Sequence, residues 1–170
     1  MVRKPLYEKF AEMGFKIGAE IGVYAGANAR FMFECIPGLK LYLVDSWERN
    51  KRHSARRAYR MTRQAVKDYD AVIIRGKSER VVHQVNDNSL DFVYIDADHS
   101  YDAVMLDIIL WNRKVRNGGI VSGHDYYVRR KKFGVRNAVD DYVRYHDLPL
   151  SLFRAGRRGM NRNWFWQKPM

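Results

Sequence analysis

The feature that most constrains this chain is an alternation running along its length. Short apolar runs, each ending in polar or glycine-rich residues, are separated by stretches with helical spacing. Residues 16–23, 39–44, 71–74, 90–95 and 120–122 read as strands, the last entered through Gly118-Gly119. Residues 27–35, 53–67, 79–85 and 101–115 read as helices between them, with 5–13 before the first strand and 135–145 after the fifth. Leu6, Phe10 and Met13 ahead of Gly14, and Val104, Ile108 and Trp111, carry the helical spacing. Such alternation predicts a mostly parallel sheet covered on both faces, because parallel neighbours need crossover connections. Two more β-rich pieces, around 150–153 and 164–167, predict a closing hairpin and bring the strands to seven. With no repeat, linker or low-complexity tract, residues 1–170 are expected to form one domain.

In an open parallel sheet, ligands bind beyond the carboxyl ends of the strands, where strand order reverses. Here those ends carry the chemistry. The first strand ends in Glu20-Ile21-Gly22-Val23-Tyr24-Ala25-Gly26, the second at Asp45, and the third near Gly76-Lys77-Ser78. The fourth ends in Asp96-Ala97-Asp98-His99 and the fifth in His124-Asp125. Gly22 and Gly26 permit a tight turn and close backbone approach to a ligand; a plain turn into a helix fits them as well. The loop is not a Gly-x-Gly-x-x-Gly fingerprint, and no phosphate-binding Gly-Lys-Ser/Thr follows the first strand. Glu20 would repel a diphosphate and welcome a cationic amine. Asp45 is positioned to accept both hydroxyls of a ribose. A ribose beside an amino-acid group, without phosphate, describes S-adenosylmethionine better than NAD.

Several residues have structural alternatives. Asp96 and Asp98 each suit a helix cap, and His99 a structural histidine. Trp47 either packs over an adenine or covers the sheet edge. Tyr101 and Trp111 read as core, Asp102 and Asp107 as helix surface, and His53, His83 and His146 as surface.

The net charge of +12 sits in clusters: Arg49 to Arg63, Arg129 to Lys132, and Arg154 to Arg162. These are either solvated faces or contacts for an acidic partner, whether a phosphorylated small molecule or nucleic acid. The single cysteine, Cys35, excludes an intramolecular disulfide and reads as a buried free thiol. No apolar run is long enough to span a bilayer, and Met1 to Pro5 leads into no signal-peptide core. A cytoplasmic location is expected.

The motifs carry a resemblance. Glu20 to Gly26 resembles motif I, and Leu43-Val44-Asp45-Ser46-Trp47 motif II, of class I S-adenosylmethionine-dependent methyltransferases. The segment Phe92 to Val104, with Asp96-Ala97-Asp98-His99-Ser100-Tyr101-Asp102, is similar to the small members related to cephalosporin 7-methoxylation proteins and macrolide-sugar O-methyltransferases. Gly118 to Tyr126 and Gly134 to Asp140 continue the match, so it covers residues 15–145. The resemblance implies a Rossmann-like, doubly wound α/β fold. It implies that Glu20, Gly22 and Gly26 hold the methionine part of the cofactor and Asp45 the ribose, with Tyr24, Ser46 and Trp47 also in the cofactor site. Gly76, Lys77 and Ser78 would lie by the adenine, where the family more often has an acid in place of Lys77. Asp96, His124 and Asp125 match metal-ligand positions, and His99 a general base; Asp96 and His99 thus stand at the reacting end of the cofactor.

Methyl transfer from a sulfonium is an in-line displacement, so the protein must position and deprotonate the acceptor. A hard cation held by carboxylates lowers a hydroxyl's pKa, and a histidine can take the proton. His124 stands where metal-dependent relatives usually have a carboxylate. The site therefore either favours a metal softer than magnesium or works without one. The leading expectation is O-methylation of a small hydroxylated acceptor, one that is anionic if the basic clusters flank the pocket. An RNA or DNA methyltransferase is the alternative, favoured by charge and by Tyr126, Tyr127 and Trp164 to Trp166. It lacks an Asn/Asp-Pro-Pro-Tyr/Phe motif and a Lys-Asp-Lys-Glu set. A non-catalytic binding module is the third reading.

Overall fold

The computed structural model describes residues 3–48, 54–126, 134–155 and 161–170, with backbone alone at 154, 155, 161 and 162. His53, Tyr127, the whole cluster Arg129 to Lys132, Arg49, Lys51 and Arg52 of the first cluster, and Arg157 and Arg158 of the third lie outside the described residues.

Seven strands form one sheet in the order β3-β2-β1-β4-β5-β7-β6. They are β1 (Ile17–Ile21), β2 (Lys40–Asp45), β3 (Asp70–Arg75), β4 (Leu90–Ile95), β5 (Val115–Gly123), β6 (Ser151–Ala155) and β7 (Asn161–Gln167). The first five pair parallel, and β7 joins β5 and β6 antiparallel, as the terminal hairpin predicts. The helices are α1 (Lys4–Glu12), α2 (Ala27–Cys35), α3 (Ala55–Ala65), α4 (Ser78–Val81) with a 3-10 turn at Val82–Gln84, α5 (Tyr101–Asn112) and α6 (Val135–Tyr145). This is a Rossmann-like sheet whose order reverses between β1 and β4.

The strands divide the core by alternation. On β4, Phe92 and Tyr94 pack with Leu6, Phe10 and Met32 of α1 and α2, while Val93 and Ile95 pack with Val104, Ile108 and Trp111 of α5. Trp164 and Trp166 are wholly buried on the α5–α6 side, and Tyr126 is buried too, so these rings are core rather than a base-stacking surface. Cys35 is free but only half-buried, on the outer part of α2.

Three sequence expectations shift. The fifth strand begins at Val115 rather than Gly118, and α5 ends at Asn112. Leu90 pairs with Val115 but Phe92 with Ile120, so Arg116 to Gly119 bulge out of the ladder. A Cβ on Gly119 would lie 2.5 Å from the Asp91 carbonyl, and Gly118 has φ +72°, so the glycine pair serves a bulge inside the strand. Tyr101 is not core: it is exposed, and its hydroxyl donates to Asp141 Oδ2 at 3.1 Å, linking α5 to α6.

Candidate active site

A cleft of about 680 Å³ opens at the carboxyl ends of β1 to β4, at the reversal of strand order. The β1 end contributes Gly22 and Tyr24; the β2 end contributes Asp45, Ser46 and Trp47. Gly76, Lys77 and Ser78 after β3, and Asp96 after β4, complete the wall. This volume lies within the range of small-ligand sites.

The β1–α2 loop is held by side chains from other elements. Asp45 Oδ2 accepts from the N–H groups of Val23 (3.0 Å) and Tyr24 (2.8 Å), and Oδ1 from Trp47 N (2.7 Å). The Tyr24 carbonyl accepts from Trp47 Nε1 at 2.8 Å and Thr62 Oγ1 at 3.0 Å. Tyr24 (φ +54°), Trp47 (φ +42°) and Asp125 (φ +59°) hold left-handed conformations that favour glycine, all at strand ends around the site. Strain of this kind persists only where surroundings over-determine it, as these bonds do for Tyr24 and Trp47. Trp47 is buried, edge-on to Tyr59, so its ring braces the loop while its residue walls the cleft. At Gly22 (φ +91°) an added Cβ would lie 2.3 Å from the Asp96 carbonyl. Gly22 thus allows β1 and β4 to meet closely. Gly26 does the same for α2 against Thr62 of α3.

Glu20 lies beneath the cleft rather than on its wall. It is 1% exposed; Oε1 accepts from Asn28 Nδ2 at 2.9 Å, and Asn28 Oδ1 accepts from Tyr7 Oη at 2.7 Å. Its other oxygen, Oε2, is buried without a hydrogen-bond partner among the described residues. Burial pushes the Glu20 carboxyl up to about 8, against the opposing bond from Asn28.

Beside the cleft stands a chain of charges. His99 Nε2 lies 2.9 Å from Asp125 Oδ2 and 3.5 Å from Asp96 Oδ1, and His124 Nδ1 lies 3.1 Å from Asp125 Oδ1. Hydrogen bonding to Asp125, then to Asp96, pushes His99 up to about 9, against burial. Asp96 does not cap α5; its Oδ2 receives Arg3 Nη2 at 2.7 Å. Asp98 does shape the helix entry, accepting from Ser100 N at 2.7 Å. Asp96, His124 and Asp125 can each offer one ligand atom, all within 4.8 Å of one another.

Residues 19–126, well over half of the chain, match the family model described as a methyltransferase domain. The protein belongs to that family. Solved structures agree on the fold. The O-methyltransferase TomG from Streptomyces achromogenes, involved in tomaymycin synthesis and solved with SAM, superposes with TM-score 0.75 at 13% identity, over 98% of this chain and 79% of that one. An O-methyltransferase from Bacillus cereus, in complex with SAH, gives 0.73 at 13% identity, over 97% and 80%. A Clostridium thermocellum protein assigned as an rRNA methylase gives 0.67 at 12% identity, over 96% of both chains. No curated protein matches the sequence.

In this methyltransferase domain the residues expected at the site fall into three groups. Gly22, Tyr24, Asp45, Ser46, Trp47, Gly76, Lys77, Ser78 and Asp96 share the cleft; His99, His124 and Asp125 adjoin it through Asp96; Glu20 and Gly26 support it from below. Sequence reasoning missed two residues. Asp107, expected on the surface of α5, is 3% exposed on the cleft wall, where it accepts the Ser78 hydroxyl. Burial raises it to about 6. Its spacing of i+3 from Val104 and i−4 from Trp111 puts it on the buried face, a signal outweighed by its charge. The other is Arg3, which no local pattern distinguishes from a solvated terminal cation.

Proposed function

We propose that this chain is an S-adenosylmethionine-dependent O-methyltransferase acting on a small hydroxyl acceptor. The observation that carries the reading is the Asp96–His99–Asp125 cluster, a proton-handling group at the rim of a nucleoside-sized cleft. The cofactor fits the residues present. The unpartnered Glu20 Oε2 suits the α-ammonium, since a buried acid lacking a partner gains most from a cation. A carboxylate has about four acceptor positions, and Asp45 commits three to backbone. The position left on Oδ1 suits one ribose hydroxyl, rather than the two expected from sequence. Gly76, Lys77 and Ser78 would flank the adenine, with Ser78 already turned to Asp107.

Asp96, His124 and Asp125 also fit a divalent cation, their nitrogen-and-oxygen set favouring manganese, iron or zinc over magnesium. Such an ion would supply charge that acidifies the acceptor hydroxyl. His99 is the proton acceptor in this reading. It needs Asp96 and Asp125 engaged elsewhere, since in their grip it already holds a proton at neutral pH. The narrower resemblance to cephalosporin 7-methoxylation and macrolide-sugar enzymes rests on Phe92 to Val104 and points to a sugar or phenolic hydroxyl. Among the described residues no helix is long and apolar enough to cross a membrane, and the free Cys35 suits a reducing cytoplasm.

A second reading, RNA methylation, is favoured by one observation. The exposed face of α3 carries Arg56, Arg57, Arg60 and Arg63, and the first turns of that helix line the cleft through Ala55 and Ala58. A turnover screen across sugar, phenolic and RNA acceptors, with and without chelator, tests both readings. A methylated small hydroxyl product is expected. Product from RNA alone would replace the first reading by the second, and no turnover at all would remove both.

A further inference from the structure

Arg3 does not sit in the environment of a solvated cation. It occupies the N-cap position of α1 and makes no side-chain capping bond. Instead its side chain, 22% exposed, reaches the carboxyl end of β4. There Nη2 meets Asp96 Oδ2 at 2.7 Å, and the guanidinium carbon lies 5.4 Å from the centre of the Tyr94 ring. The ring is fixed in turn: Tyr94 donates to Asn163 Oδ1 at 2.9 Å and packs edge-on against Tyr7. Tyr94 pairs in register with Glu20 across β1 and β4. The cation therefore stands beside the same strand ends that hold the unpartnered Glu20 oxygen.

A guanidinium carries several N–H donors in a fixed planar fork, and Arg3 commits one of them to hydrogen bonding among the described residues. An α-amino acid presents an ammonium and a carboxylate on neighbouring atoms. A site that reads both needs an acid and a base side by side, and Glu20 with Arg3 supplies them. Arginine suits the second task, since its fork matches a carboxylate bidentately where lysine offers a point charge. Accepting the cofactor reading above, the geometry points to Arg3 as the residue that binds the α-carboxylate of the cofactor's amino-acid end. Asp96 holds the guanidinium in place, and the Tyr94 ring carries it. Arg3 thereby makes the site specific for adenosyl ligands with an intact amino acid.

The test is calorimetric binding of S-adenosylhomocysteine and of its decarboxylated form to wild type, Arg3→Met and Arg3→Lys, with thermal melting as a check on folding. Wild type should prefer the intact ligand by about 10- to 100-fold, the range of a charge-assisted pair. In Arg3→Met the preference should fall to about threefold or less, through lost affinity for the intact ligand alone. Arg3→Lys should keep an intermediate preference. Equal weakening of both ligands, or an unchanged preference in Arg3→Met, would make Arg3 a purely structural residue and overturn the assignment. Wild type that binds neither ligand would bring down the cofactor reading itself, and this inference with it.

Discussion

The two halves of the strand-end rim hold their acids in opposite ways. Asp45, at the β2 end, is surrounded by backbone N–H groups of Val23, Tyr24 and Trp47. Asp96 and Asp125, at the β4 and β5 ends, are met by full charges from Arg3 and His99. Backbone donors are fixed dipoles that neither titrate nor depart, so the Asp45 half is a rigid cradle built before any ligand arrives. The other half is a set of ion pairs, in which His99 is the group that can give up a proton. The backbone-held Asp45 suits ligand binding, and the His99 ion pairs suit proton transfer. The difference predicts that Asp45 and His99 variants will separate affinity from turnover.

The largest effect is expected on the ionic half. His99→Ala should lower turnover by about 100- to 10,000-fold, the range for a lost acid–base group, while affinity for S-adenosylhomocysteine changes by less than about threefold. Calorimetry and single-turnover rates measure the two quantities separately. Full turnover in His99→Ala would remove the histidine from the chemistry and erase the contrast.

On the rigid half, Asp45→Ala strands three N–H donors and releases two left-handed residues, Tyr24 and Trp47. A loss of about 2–4 kcal/mol in unfolding free energy is expected, with S-adenosylhomocysteine binding weakened alongside. A variant that kept its stability but lost binding would mean that Asp45 serves the ligand alone.

The halves also differ in how far the sequence discloses them. Asp45 and Asp96 were legible because each closes an apolar run that reads as a strand, and a strand end fixes a place on the rim, with His99 three residues past Asp96 in the loop that follows. The alternation likewise disclosed the sheet and its hairpin. The bulge at Arg116 to Gly119 was hidden, because a glycine pair reads as a break until its partner strand is known. Arg3 was hidden for a different reason: its contact with Asp96 spans 93 positions, and no local period encodes it. Asp107 was visible in the spacing yet misassigned, because a lone carboxylate among apolar residues looks like surface unless a partner such as Ser78 is already known.

Beneath the rim, Glu20→Gln should trade affinity for stability. The native state keeps the Glu20 proton up to about 8, whereas the unfolded chain releases it near the ordinary 4.5. Between those values the native state binds more protons, so stability falls as pH rises across that window. Removing the titration should raise stability by roughly 1–3 kcal/mol at neutral pH and weaken cofactor binding about tenfold. Melting temperatures that follow the wild-type pH curve would show the acid to be ionised and satisfied.

Asp107→Asn is the smaller counterpart and sharpens the comparison by its window. Burial raises Asp107 to about 6 from an ordinary 3.8, so the native state again binds more protons, and stability again falls as pH rises, but only between those values. The amide keeps an acceptor for Ser78, and a gain of about 1 kcal/mol is expected. That gain should be complete just above pH 6, while the gain from Glu20→Gln keeps growing until pH 8. If the two pH profiles coincided, the acids would titrate as one coupled system, and the cleft wall would be electrostatically continuous with the buried floor beneath it.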